Sequence, residues 1–437
     1  MAIAFDSSLV SAELVKEACS RIEPYVHRTR VFTCDQLSQL ATDASGSSRK
    51  LFLKAEHEQK VGAFKIRGAI NAISLSTADY VVTQSSGNHA QAIALGCKLL
   101  GKTAVVVMPE DSPAVKVSAV RDTYGAEVRL CKPTQEAREA MSAEVVQELR
   151  TKHGADKAEE IHPNQDPRVV NGQGSVAVEL LEQQPDLDAI VVSIGGGGLI
   201  AGIATYATNF TDCFLAPLRL FTEVVMTALQ NGTIADLIQL GFADLVLLGM
   251  QVRHGLNSAP NIDFRSKQMD ITKPNYTHGD FNFEALAVWQ QQTKVIGAEP
   301  EAAKSAYMSK KAGMLVKNPP NTAIHTIADS VKSSLGPTTY PIVQELVDAV
   351  FIVSEQEIED ATKFVMERAK QVIEPGCGVA VAVATSKQLY EQFPDLRNIG
   401  VIMCGGNVDL TQLPWMRTKR QLEENGSEQS LKATKTQ

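Results

Sequence analysis

Residues 189–204 read Ala189-Ile190-Val191-Val192-Ser193-Ile194-Gly195-Gly196-Gly197-Gly198-Leu199-Ile200-Ala201-Gly202-Ile203-Ala204. A β-branched run gives way to four glycines and then to an apolar helix-forming run. Ala189–Ser193 is apolar without alternation, the pattern of a strand covered on both faces. Working outward, the same pattern recurs at Leu51–Ala55, Tyr80–Gln84, Thr103–Met108, Glu127–Cys131, Lys294–Ala298, Val350–Val353 and Ile399–Met403. Helical patterns lie between them. Ala90, Ile93, Ala94 and Cys97 are spaced i, i+3, i+4, i+7. Ser354-x-x-Glu357 is a capping box, and it predicts a helix with the stripe Ile358, Ala361, Val365 and Ala369. Strand–helix alternation on this scale predicts an α/β fold with open, twisted, mostly parallel sheets.

The chain has 437 residues, 44% of them hydrophobic and 21% charged, with a net charge of −8. This composition supports a sizeable core in two or three domains and excludes a mostly disordered chain. Mild acidity argues against nucleic acid or an anionic membrane as partner. No apolar run approaches the length of a membrane span, and the N-terminus lacks a basic region ahead of an apolar one. The seven cysteines are odd in number and include no CxxC, and the eight histidines show no HxxxH spacing. A reducing, cytoplasmic setting fits this pattern better than a disulfide framework or a structural zinc site.

Residues 207–292 break the rhythm. They begin helix-like and end in a long polar run, and the whole segment holds three Asn-x-Thr sequons. Such a length inside an α/β unit reads as an insertion. The polar tail 416–437 reads as disordered.

Four short motifs carry chemistry. In Gly62-Ala63-Phe64-Lys65-Ile66-Arg67-Gly68-Ala69, a lysine in an apolar setting can lose its charge by desolvation and form a Schiff base; the same octapeptide also suits a surface lysine. Ser85-Ser86-Gly87-Asn88-His89 joins a strand to a helix, where free N–H groups favour a carboxylate or phosphate; an ordinary serine cap reads the same way. Gly195 to Gly198 can cradle a phosphate through N–H groups, and their entropic cost argues against a mere turn. The run is neither GxGxxG nor a Walker A motif. Cys404-Gly405-Gly406-Asn407 follows the last strand, and its thiol could face a ligand at the sheet's carboxyl edge or sit buried. Taken together, an imine-forming lysine, a phosphate loop, a carboxylate site and a polar partner for a ring nitrogen are what pyridoxal phosphate with an amino acid requires.

With these residues in view, the chain resembles the fold-type II (tryptophan synthase β-like) pyridoxal-phosphate enzymes, in the serine racemase and serine/threonine dehydratase group. The resemblance rests on GAFKIRGA, SSGNH, GGGG and CGGNVDL. It extends to HPNQDP (162–167), GQG (172–174), VKSS (331–334) and IEP (373–375). HPNQ and VKSS lean toward the racemases.

The resemblance implies two domains with the cofactor in the cleft: a large one from 1–69 and 161–415, and a small one from 70–160. It implies that Lys65 is the Schiff-base lysine. Gly195, Gly196, Gly197, Gly198 and Leu199 would hold the phosphate, Asn88 the ring hydroxyl, and Cys404 would face the ring nitrogen. Ser85, Ser86, His89, Arg138 and Ser333 would bind the substrate, with Ser86 also the second catalytic base opposite Lys65. It further implies a homodimer, small amino-acid substrates (serine and threonine), ATP as an activator, and a Mg²⁺ or Ca²⁺ site.

At that metal site Glu299 and the carbonyl of Ala303 match the family, but Ser305 replaces an Asp, which should weaken the site. Ser330 replaces a glycine in a turn and would introduce strain there if the turn needs positive φ. The expected activity is interconversion of L- and D-serine with β-elimination of serine or threonine. The alternatives are a dehydratase with little racemase activity, or an inactive ligand-binding homologue disabled by the 207–292 insertion.

Overall fold

The computed structural model describes residues 6, 8–112, 114–208, 293–320 and 323–416. The expected insertion at 207–292 and tail at 416–437 therefore lie outside the described residues, apart from Ala207, Thr208 and Met416.

Among the described residues, ten strands form two sheets. They are β1 (Val31–Thr33), β2 (Lys50–Lys54), β3 (Tyr80–Gln84), β4 (Thr103–Pro109), β5 (Glu127–Cys131), β6 (Ala158–Glu160), β7 (Ala189–Ser193), β8 (Lys294–Pro300), β9 (Ala349–Val353) and β10 (Asn398–Ile402). The larger sheet has the order β1-β2-β10-β7-β8-β9 and the smaller β5-β4-β3-β6. Every pairing is parallel except that of β1 with β2.

The helices that matter here are α1 (Ala12–Ile22), α2 (Asp35–Ser45), α3 (Lys65–Leu75), α4 (Asn88–Leu99), α5 (Ala114–Ser118), α6 (Gln135–His153), α7 (Pro167–Gln183) and α8 (residues 198–208). They continue with α9 (Ser305–Ala312), α10 (Thr339–Leu346), α11 (Glu355–Phe364) and α12 (Pro375–Ala384).

All five residues of β7 are buried, as a strand covered on both faces requires. One core cluster joins Ile66, Ile70 and Ile73 of α3 to Ala90 and Ile93 of α4 and to Val106 and Met108 of β4. The other face of the small sheet packs Val82, Val105 and Val107 against Val145, Val146 and Leu149 of α6. α3 crosses α7 closely at Gly68 and Gly172: a Cβ on Gly172 would lie 2.6 Å from Gly68 Cα.

The sheet order survives the break in rhythm at 207. β7 and β8 pair in register from Ala189 opposite Lys294 to Ser193 opposite Ala298. Tyr206 and Ala207, in the last described turn of α8, are buried. The capping box is present, with Ser354 Oγ accepting from Glu357 N and Glu357 Oε2 accepting from Ser354 N. The stripe differs from expectation. Ile358 and Val365 are buried, but Thr362 takes the place assigned to Ala361, and a π-helical turn occupies Val365–Ala369.

A balanced charge cluster lies under α3. Arg67 donates to Glu56 and Glu179 at 2.7 Å, and Lys54 donates to Glu179 at 2.7 Å. All four residues are buried. Two cations against two carboxylates, with further bonds from Lys54 to the Thr29 carbonyl and to Gln183, leave no net charge in the interior.

Candidate active site

The site is built where chain segments far apart in sequence are zipped together at the carboxyl end of β10. Gly406 N–H donates to the Gly62 carbonyl at 2.8 Å, and Phe64 N–H to the Cys404 carbonyl at 3.1 Å. Ala63 and Gly405 form an antiparallel bridge. Asn407 Nδ2 donates to the Val61 carbonyl at 2.6 Å. Val61 and Gly62 both have left-handed backbone, at φ 58° and 68°. A β-branched residue there is strained, which fits a turn held by its surroundings. The turn delivers Lys65 as the first residue of α3.

Lys65 Nζ donates to the Pro163 carbonyl at 2.9 Å and to Asn164 Oδ1 at 2.8 Å. Burial pushes its pKa down to about 8, against the opposing influence of Cys404 and Glu374. The surface-lysine reading of the octapeptide is therefore replaced by a desolvated amine.

Asn164 also fills the hollow of the glycine loop. A Cβ on Gly196 would lie 2.4 Å from Asn164 Nδ2. Gly197 has φ +83°, and a Cβ there would meet Leu335 Cδ2 at 2.5 Å. The Gly196 carbonyl accepts from Thr339 Oγ1 at 2.9 Å and from Gln165 Nε2 at 3.3 Å. Gly198 and Leu199 begin α8. The first N–H groups of a helix have no carbonyl one turn back and are suited to an anion.

On the other side Asn88 opens α4. Its Nδ2 donates to Glu374 at 3.0 Å, and its Oδ1 accepts from Asn407 at 2.9 Å. Burial raises the pKa of Glu374, opposed by the bond from Asn88. Ser85 and Ser86 are half-buried in the bend just before α4, and Ser85 Oγ accepts from Gly87 N–H at 3.3 Å. His89 is buried. Its Nε2 lies 3.5 Å from the Ile161 carbonyl, and its Nδ1 has no protein partner. Burial, then the charge of Lys65, holds its pKa well below the usual value, so the ring is neutral. His162 Nδ1 accepts from the N–H groups of Asn164 and Gln165 at 3.1 and 3.0 Å.

Cys404 is buried, its sulfur 3.5 Å from that of Cys377. Lys65, the glycine loop, Asn88 and Cys404 thus belong to one bonded neighbourhood. Arg138 lies in the first turn of α6, where its charge acts on the Cys131 thiol. Ser333 is exposed in the loop after the Asp329–Val331 turn. Ser330, in that turn, is not among the positive-φ residues, so the strain expected of it is absent.

Asn164, Glu374 and Asn407 receive no role from the sequence, although HPNQDP, IEP and CGGNVDL contain them. Their importance lies in contacts between residues 99 and 286 positions apart, which a local motif does not display.

These features fit pyridoxal phosphate. A desolvated amine, a loop whose Cβ positions are filled, a helix start and an orphaned buried imidazole nitrogen all converge. The divalent cation does not fit as well. Both Glu299 oxygens already accept backbone N–H groups, from Ala306 at 2.9 Å and Tyr307 at 2.8 Å. Ser305 Oγ accepts from Leu335 N–H at 3.3 Å. Among the described residues no group of three His, Cys, Asp or Glu could hold a metal. Nor is any described helix long and apolar enough to cross a membrane.

The fold and the site define a pyridoxal-phosphate dependent enzyme, and the chain belongs to that family, which it matches over residues 22–229 and 283–405. Among characterised relatives it is 36% identical over 412 residues to a serine racemase of Rattus norvegicus, covering 92% of this chain and 95% of that protein. Among solved structures it is similar to maize serine racemase, with a TM-score of 0.68, 31% identity and coverage of 96% and 99%. It is also similar to a T.th. threonine deaminase, with a TM-score of 0.63, 31% identity and coverage of 91% and 99%.

Proposed function

We propose that this chain is a pyridoxal-phosphate dependent serine racemase that also eliminates water from serine or threonine, the released enamine then taking up water to give a 2-oxo acid and ammonia. The observation that carries the reading is the Lys65 amine, depressed to about 8 and held by Asn164 beside the glycine loop. Likeness to serine racemases over nearly the whole chain supports the choice of substrate.

Lys65, Asn88, Gly195 to Gly198, Leu199 and Cys404 would hold the cofactor. When bound, it supplies an electron sink that acidifies the α-C–H of an amino acid. The chain's own groups do the rest. Lys65 gives up its proton near pH 8, well below an ordinary lysine, and takes the α-proton from one face. Ser86, at the mouth of α4, delivers a proton to the other. Ser85 and the N–H groups around Gly87 receive the carboxylate. His89 is neutral there and contributes shape and a lone pair rather than charge. Arg138 and Ser333 would close the far side of the substrate.

The four-stranded sheet within 70–160 would be the smaller domain. A homodimer in the cytoplasm, with no nucleic-acid partner, completes the reading, and sedimentation of the purified chain tests the dimer. The likeness to threonine deaminase supports a second reading, a dehydratase with little racemase activity.

The deciding measurement incubates the chain and pyridoxal phosphate with L-serine and quantifies D-serine and pyruvate. Both products are expected. Pyruvate alone would leave only the dehydratase, and neither product would leave an inactive homologue. Retained activity in Lys65→Ala would overturn the chemistry altogether.

A further inference from the structure

Cys377 is a buried thiol that the mechanism above does not use. It stands in the first turn of α12 and brackets the Gly405 peptide from both sides. Its Sγ donates to the Gly405 carbonyl at 2.9 Å and accepts from Gly405 N–H at 3.1 Å. The same carbonyl accepts from Glu374 N–H at 3.0 Å. Gly405 has no slack: a Cβ on it would lie 2.8 Å from Glu374 Cδ. The neighbouring Cys404 sulfur lies 3.5 Å from Cys377 Sγ.

A thiol carries one proton. With that proton on the Gly405 carbonyl, Cys377 can meet Cys404 only as an acceptor. Cys404 then has two uses for its own proton: toward Cys377, or toward whatever occupies the cleft. Cys404 is tied by its carbonyl to Phe64 N–H, one residue before Lys65. A shift of the Gly405 peptide would therefore be felt at both ends of the cofactor site.

We propose that Cys377 is a positioning residue. By clamping the Gly405 peptide and flanking the Cys404 sulfur, it fixes the direction in which Cys404 presents its thiol to the ring nitrogen of bound pyridoxal phosphate, and so sets how strongly that ring withdraws electrons. This rests on the cofactor reading above and concerns how the ring is tuned, not whether it binds. Electron withdrawal from the substrate's α-carbon runs through that ring, so its tuning bears on the balance of proton return against loss of the β-hydroxyl.

The test compares wild type with Cys377→Ala, Cys377→Val and Cys377→Ser, each loaded with pyridoxal phosphate. The readouts are the absorption and fluorescence of the bound cofactor and its dissociation constant. Ala and Val both delete the sulfur's bonds, the second while filling its space, so one folded variant suffices. These two should shift the cofactor band, weaken binding several-fold and change the ratio of D-serine to pyruvate. Ser keeps a donor and an acceptor and should restore the wild-type band. A wild-type spectrum in Ala or Val would overturn the proposal while leaving the enzyme reading intact. An equal shift in Ser and Ala would make Cys377 merely structural and overturn it too. No band in the wild type would sink the enzyme reading and this inference with it.

Discussion

Asn164 serves Lys65 and Gly196 at once: its Oδ1 accepts from Lys65 Nζ at 2.8 Å, while its Nδ2 occupies the space where a Cβ on Gly196 would stand. The amine and the glycine loop are therefore one mechanical unit. Gly196→Ala should push Asn164 away and release Lys65. Cofactor affinity should fall by about tenfold or more, the effect of roughly 1.4 kcal/mol. Far-ultraviolet circular dichroism should stay unchanged. An alanine variant with wild-type affinity would show that the two are independent.

The desolvated amine makes a prediction about pH. A lysine depressed to about 8 loses its proton far below the ordinary value of 10.5. In the cofactor-free chain, acylation or reductive alkylation of Lys65 should rise with pH to a midpoint near 8, read by peptide mass spectrometry. Surface lysines in the same digest should still be rising above pH 10, near the usual lysine pKa of about 10.4. A midpoint shared with them would mean that Lys65 is not desolvated.

The charge cluster below α3 should respond asymmetrically to deletion. Arg67→Met leaves Glu56 and Glu179 with only Lys54 between them, and should cost about 3–5 kcal/mol in denaturant unfolding. Burial alone would raise the pKa of Glu179; bonds and charge from Arg67, then Lys54, outweigh it and hold the carboxyl below 4.5. A depressed carboxyl adds stability above its ordinary pKa, and that stability is lost as pH falls through the folded value. The wild type should lose this increment on the acid side, and Arg67→Met should have little of it to lose. Adding Glu56→Gln to the variant should recover part of the cost.

Glu299 caps the start of α9 with both oxygens. Removing divalent cations with EDTA should leave the melting temperature unchanged, and millimolar Mg²⁺ or Ca²⁺ should not raise it. Glu299→Ala should cost about 1–3 kcal/mol by stranding two buried N–H groups. A clear stabilisation by cation would mean that the carboxylate leaves its helix to bind metal.

Much of the architecture is legible in the residues alone. Tyr80–Gln84, Glu127–Cys131 and Ala189–Ser193 match their expected bounds at both ends; for Tyr80–Gln84 and Ala189–Ser193 the reason is a β-branched run that is almost wholly buried. The two strands that the pattern does not reveal are short. β1 has three residues, none of them buried, and β6 is Ala158-Glu159-Glu160. Both lie at sheet edges, where partners rather than composition decide pairing. The α11 stripe departs from expectation because a 3.6-residue period reaches Thr362, whose hydroxyl is satisfied by the Ile358 carbonyl and so can be buried. Lys65 and the glycines stand out because their chemistry is unusual in any setting. Asn164, Glu374 and Asn407 do not, since an amide or carboxylate gains its meaning only from what the fold brings against it.

β10 is the last of the described strands, yet it lies between β2 and β7. Until Asn398–Ile402 arrives, β2 and β7 face each other across a gap, each with an open edge. A ribosome must deliver nearly the whole polypeptide before the larger sheet can close. The lysine made early cannot meet its cysteine until the very end. Long-range closure of this kind is slow and leaves strand edges exposed to other chains in the meantime. A chain stopped short of position 398 would lack both the wedge that completes the sheet and the end of the strand that anchors the site. Half-made copies of this protein should therefore be clients for chaperones and not weak enzymes.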